Sequence, residues 1–229
     1  MGGRGRSYIL FIGGLAAIVA GFWPSFFSNP LSNDAWHILH GVAATLWVLL
    51  LITQSLLIGR GNRRWHERLG WLSLGLFATL LATTGYMIWV EVTGPEPFPA
   101  VVRQALVFLD VLFLILFIAL YALGLNVRGT PRLHARLMGS TILIGLGPAL
   151  VRLYGQYLPQ SWGISGGVLF TFGTIEAILV VAIVLAFRRR QSMRPFPELL
   201  AAFILIQTGL PWAMSSTFAR MLRAAGAPI

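Results

Sequence analysis

Seven apolar runs fix what this chain can become. They cover about residues 7–23, 35–58, 67–90, 101–126, 134–155, 163–187 and 197–214, close to or beyond the roughly 20 residues that cross a bilayer core. In lipid an unpaired backbone N–H or C=O costs several kcal/mol, so each run is expected to close its hydrogen bonds as a helix. Only 10% of the 229 residues are charged, against about 25% in a soluble domain. Most of the surface must therefore face lipid or protein. The expected fold is all-α: a polytopic membrane helix bundle forming a single transmembrane domain over 1–229. The first run follows Arg4 and Arg6, and Trp23-Pro24 and two phenylalanines follow it where a cleaved signal would place small residues. It is expected to be a retained span. Pro211 is expected to bend or end the last one, leaving 215–229 along the surface with Arg220 and Arg223 among headgroups.

Two of the connections carry one motif. Arg60-Gly61-Asn62-Arg63-Arg64-Trp65-His66-Glu67-Arg68-Leu69 and Arg128-Gly129-Thr130-Pro131-Arg132-Leu133-His134-Ala135-Arg136-Leu137 both read R-G-x-x-R-x-H-x-R-L. Each joins a descending span to an ascending one. Residues 35–90 and 101–155 are thus expected to be parallel internal repeats, duplicated helical hairpins that form a four-helix core. Arginines anchor such corners to phosphates and glycine permits the turn. Topology alone explains the arginines; it does not require the histidines.

The formal charge of +10 does not imply a nucleic-acid partner, because the positive residues fall between apolar runs and not along one solvated face. All 17 basic residues are arginine. With no lysine, a retinal Schiff base is excluded. With no cysteine, so are disulfides, thiolate metal sites, iron–sulfur clusters and covalently attached haem. Arg4, Arg6, the two corners, Arg188, Arg189, Arg190 and Arg194 share one side; Arg103, Arg152, Arg220 and Arg223 share the other with Asp34, Glu91 and Glu96. The expected orientation has the N-terminus in the cytoplasm and the C-terminus outside. Trp23, Trp36, Trp65, Trp89, Trp162 and Trp212 fall near the expected interfaces.

Helical spacing sorts the polar residues. His66, Gly70, Ser73, Phe77 and Thr84 make one stripe of the third span; His134, Met138, Thr141, Gly145 and Arg152 make one of the fifth. Small and polar residues mark the packed side of a membrane helix. His66 and His134 are then candidate ligands of a b-type haem or a transition metal, or interfacial histidines that cap a helix or meet a lipid phosphate. On the second span, His37 and His40 are one turn apart and are candidate metal ligands, with Trp47 and Gln54 on the same stripe. Asp110 and Arg152 are intramembrane charges with two readings: a functional pair bordering His37 and His40, or a salt bridge that fixes helix docking. Glu176 lies mid-span, as a proton relay or as a partner for a threonine. Glu91 and Arg103 are expected to be solvated at the interface. No G-x-x-x-x-G-K-[ST], H-E-x-x-H or G-x-S-x-G is present, so nucleotide binding, metalloproteolysis and an esterase elbow have no support.

His40-Gly41, Thr45-Leu46-Trp47, Gln54, His66-x-Arg68-Leu69-Gly70 and His134-x-Arg136-Leu137-Met138 resemble uncharacterised bacterial inner-membrane proteins with repeated H-x-R-L-G/M corners, over about residues 35–155. Similar small histidine-bearing membrane proteins are linked to assembly of haem–copper oxidases. A looser likeness is to the two-haem transmembrane cytochromes b. That likeness implies a ligand pair at His66 and His134. Its other pair fails, because the fourth span has no histidine, so one haem at most is implied. Three functions follow as expectations: a redox-linked inner-membrane protein for electron transfer or oxidase assembly, a proton-coupled transporter using Asp110, Arg152 and Glu176, or an accessory subunit among other membrane subunits.

Overall fold

The computed structural model describes residues 7–94 and 99–226, apart from the side chains of Gln160 and Ile164. Arg4, Arg6 and Glu96 lie outside them. The described residues form helices and turns, with no strand among them. The helices are α1 (Ser7–Phe22), α2 (Ala35–Gly59), α3 (Arg63–Thr93), α4 (Ala100–Asn126), α5 (Pro131–Ser140), α6 (Ile142–Tyr157), α7 (Gly163–Arg188), α8 (Phe196–Ala213) and α9 (Ser216–Ala224). Seven spans are long and apolar enough to cross a membrane: Ser7–Phe27, Ala35–Gly59, Arg63–Thr93, Ala100–Asn126, Pro131–Tyr157, Ser165–Arg188 and Phe196–Ala213. The chain is an all-α polytopic membrane protein. The six tryptophans expected at interfaces are all exposed, as an aromatic belt requires.

The ends of the helices follow from local chemistry. Asp34 caps α2, its Oδ1 accepting from the N–H groups of Trp36 at 2.8 Å and His37 at 3.0 Å. Gly61 ends that helix in the left-handed region, at φ 73°, so the Asn62 N–H reaches the Leu57 carbonyl at 2.8 Å. Asn62 then caps α3 by accepting from the Trp65 N–H at 3.3 Å. The second corner is built differently. Gly129 does not take a positive φ; Pro131 begins α5 instead, its fixed φ suited to a first helical position. The two copies of the motif therefore turn by different means. Pro211 lies near the end of α8, which stops at Ala213. The amphipathic α9 follows, capped by Ser215.

The fifth span breaks once. The N–H groups of Thr141 and Ile144 bond carbonyls three residues back, Met138 and Thr141, each at 3.3 Å, which tightens the turn and separates α5 from α6. The tightening resets the phase of the helix. The expected stripe holds as far as Thr141, which is buried, but Gly145 and Arg152 leave it and are exposed. Ile142, Leu143, Leu146, Ala149 and Leu150 are buried in their place.

The chain divides into two compact units, 1–83 with 138–171 and 84–137 with 172–229. They cut across the repeats at 35–90 and 101–155. In the first unit, α1 packs on α2 and α6. A Cβ on Gly21 would lie 2.2 Å from the Ala149 carbonyl oxygen, so only glycine permits this approach of two backbones. In the second unit, Phe113, Phe172 and Phe203 meet with ring centroids 5.9–6.4 Å apart. Phe108, Trp212 and Phe218 join α4, α8 and α9 in a second aromatic group.

Candidate functional site

The polar groups of the first unit gather along α2. His40 is half-buried, and its Nδ1 lies 3.0 Å from the Thr83 Oγ1. That hydroxyl sends its own proton to the Thr79 carbonyl at 2.8 Å, so it accepts from His40. Nδ1 must then carry the hydrogen, and the neutral ring keeps its lone pair on Nε2. Thr83 is fully buried. Periodicity favours its neighbour Thr84, and the structure selects Thr83. About two turns further along, the Trp47 indole N–H donates to Thr141 Oγ1 at 2.9 Å, and Thr141 donates to the Met138 carbonyl at 2.6 Å. Gln54 Nε2 donates to the His66 carbonyl at 3.1 Å. His66 itself is half-buried in the first turn of α3.

The Trp47–Thr141 bond joins α2 to the break between α5 and α6. Interhelical hydrogen bonds in membranes average about 0.6 kcal/mol by double-mutant cycles. Trp47→Phe and Thr141→Val are each expected to lower stability by about 1 kcal/mol, with a coupling of roughly 0.6 kcal/mol. Thermal unfolding of the four proteins of the cycle, in detergent, measures it. Additive effects would mean the bond contributes nothing.

His37 is exposed and does not share the surroundings of His40. Its Nδ1 meets Asp34 Oδ2 at 2.5 Å. Each of these two rings has its own Nδ1 partner, and each neutral tautomer presents Nε2. Among the described residues, no three His, Asp or Glu side chains gather into a group that could hold a metal ion. Asp34 is held below the usual carboxylate range, first by the His37 backbone N–H, then by the His37 ring and the Trp36 N–H, with some burial opposing them. A carboxyl with a depressed pKa stabilises above its unfolded value of about 3.9 and loses that contribution as pH falls through its folded value. The start of α2 is therefore expected to loosen below about pH 4. Asp34→Asn keeps an accepting oxygen and should remove this acid sensitivity. Hydrogen exchange at Trp36 and His37 between pH 7 and 3 checks it; the same pH dependence in both proteins would refute it.

In the second unit, His134 is half-buried at the start of α5. Its Nδ1 lies 2.7 Å from the Gly124 carbonyl oxygen. A carbonyl only accepts, so Nδ1 donates and the neutral ring again holds its lone pair on Nε2. Two positions on, the Arg136 guanidinium donates to the carbonyls of Ser192 and Arg194 and to Gln191 Oε1, and it stands 5.3 Å from the Phe196 ring centroid. The matching Arg68 of the first motif lies over Trp65 at 5.3 Å.

Arg152, in the first unit, donates to the Pro148 carbonyl at 3.1 Å and stacks over Phe22 at 4.5 Å. Asp110 is half-buried on α4 of the second unit. Arg103, expected to be solvated, is half-buried: its fork bonds the Glu91 carbonyl at 3.1 and 2.7 Å and the Val92 carbonyl at 3.3 Å, capping the end of α3. Glu176 sits midway along α7, and its buried Oε1 has no hydrogen-bond partner among the described residues. The hydroxyl of Thr83 and the Arg136 fork carried no signal in the sequence beyond residue type. No family model, curated protein or solved structure matches this chain.

Proposed function

We propose that the chain is a redox-linked protein of the bacterial inner membrane that holds a b-type haem or a transition metal through Nε2 of His134. One observation carries the reading: the Nδ1 hydrogen is committed to the Gly124 carbonyl at 2.7 Å. Histidines that bind metals are oriented in this manner, with the second ring nitrogen donating to a carbonyl or carboxylate. The bound group would supply one-electron chemistry. The protein's part is to fix the tautomer, aim the ring and tune it through that hydrogen bond. Arginine-rich corners on one side support a cytoplasmic N-terminus and an external C-terminus. Electron transfer or oxidase assembly, alongside other membrane subunits, fits a small carrier of this kind.

Absorption spectra before and after dithionite, with elemental analysis of the purified protein, test the reading. A Soret band or a stoichiometric transition metal is expected, and His134→Ala should abolish it. Absence of both signals from the unmodified protein would eliminate the proposal.

Glu176 favours a second reading, proton-coupled transport. Its unpartnered Oε1 lies midway along a membrane span, where a carboxyl group is costly and usually functional. Glu176→Gln should then abolish a pH-dependent flux in vesicles while the protein still inserts and folds. Undiminished flux in the variant would dismiss this role.

A further inference from the structure

The Arg136 fork draws together two turns that are remote in sequence. One, between α4 and α5, carries Arg128 and leads into the first turn of α5, where Arg132 stands one helical turn before Arg136 on the same face. The other, between α7 and α8, carries Arg188, Arg189 and Arg190, and its backbone at Ser192 and Arg194 accepts from Arg136. All of these residues belong to the second unit. Both turns connect spans long and apolar enough to cross a membrane, and the Arg136 contacts hold them at the same end of this unit. Arg190 takes φ 50° as the chain leaves α7, and the Gln191 N–H closes back on the Ala186 carbonyl at 3.0 Å. The turn is thus fixed at both ends, by its own helix and by Arg136.

The charge balance of this corner is one-sided. Its acid is Glu198, and Arg194 already engages it at 2.8 Å. Arg128, Arg132, Arg188, Arg189 and Arg190 are exposed, and none has an acidic partner among the described residues. The first corner differs: Arg63 is paired with Glu67 at 2.9 Å, and Arg68 is turned over Trp65. Positive-inside topology requires arginines at both corners but not a guanidinium clamp that joins two groups of them at one.

We propose that this second corner binds the headgroup of a phospholipid bearing two phosphates, one received by Arg128 and Arg132 and the other by Arg188, Arg189 and Arg190. Guanidinium forks match phosphate oxygens, and basic pockets between membrane helices take such headgroups. Arg136 does not bind the lipid; it positions the two turns.

Native mass spectrometry of the full chain, released from detergent with added lipid, tests this. The probes are diphosphatidylglycerol, phosphatidylglycerol, phosphatidylcholine and inorganic phosphate. One retained diphosphatidylglycerol per chain is expected, in preference to the other lipids. Arg132→Gln with Arg189→Gln should weaken retention about 20-fold, whereas Arg60→Gln with Arg64→Gln at the first corner should leave it unchanged. Arg136→Lys, which keeps the charge but not the fork, should also weaken it. No retained lipid, equal retention of phosphatidylcholine, equal loss at either corner, or displacement by millimolar inorganic phosphate would each overturn the proposal. The wild-type lipid series decides it even if a variant fails to fold.

Discussion

Gly21→Val is expected to lower stability by about 3 kcal/mol or more. A Cβ at Gly21 would meet the Ala149 carbonyl oxygen at 2.2 Å, its carbon at 2.8 Å and the Cα at 3.0 Å. These are backbone atoms, so no rotamer change relieves the clash; α1 and α6 must separate. Separation also loosens Gln156, whose Nε2 reaches the Gly21 carbonyl at 3.4 Å. Gly21→Ala should already show much of the loss. Gly13→Ala is the control, because nothing lies within 4 Å of its added Cβ; it should be neutral or slightly stabilising. Thermal unfolding in detergent measures all three. A Gly21→Ala protein that unfolds at the wild-type temperature would show that the two backbones do not touch there.

Phe203→Ala should destabilise the second unit by about 3 kcal/mol. Phe203 is 0% exposed, with the Phe113 and Phe172 ring centroids at 5.9 and 6.2 Å. In a soluble protein the lost transfer free energy would add to the cavity. Here the unfolded reference is itself in lipid, so the cavity and the lost dispersion contacts dominate. That places the effect at the low end of the usual range for Phe→Ala. Phe187→Ala makes the comparison: that ring is 71% exposed and its loss should fall within about 0.5 kcal/mol. Equal effects at the two positions, again by thermal unfolding, would contradict the aromatic core.

The lengths of the apolar runs and the placement of arginines determined the seven spans, because lipid offers backbone groups no partner except one another. Trp47 and Thr141 were legible as members of packed stripes, and they do meet. Their neighbours were less so. A helical stripe is wide enough that adjacent residues compete for its edge, and so Thr83, not Thr84, receives His40. The stripe through His134 failed beyond Thr141 because one tightened turn shifted the phase of everything after it. The motif shared by the two corners gave no warning that Gly61 would be left-handed and Gly129 would not, or that Arg68 would lie on Trp65 while Arg136 reached a turn more than fifty positions away. Such choices depend on which atoms arrive within hydrogen-bond distance once helices pack. Run length and charge are properties of the chain alone. The partner of each imidazole and each guanidinium exists only after tertiary packing has brought a carbonyl, a hydroxyl or a ring alongside it.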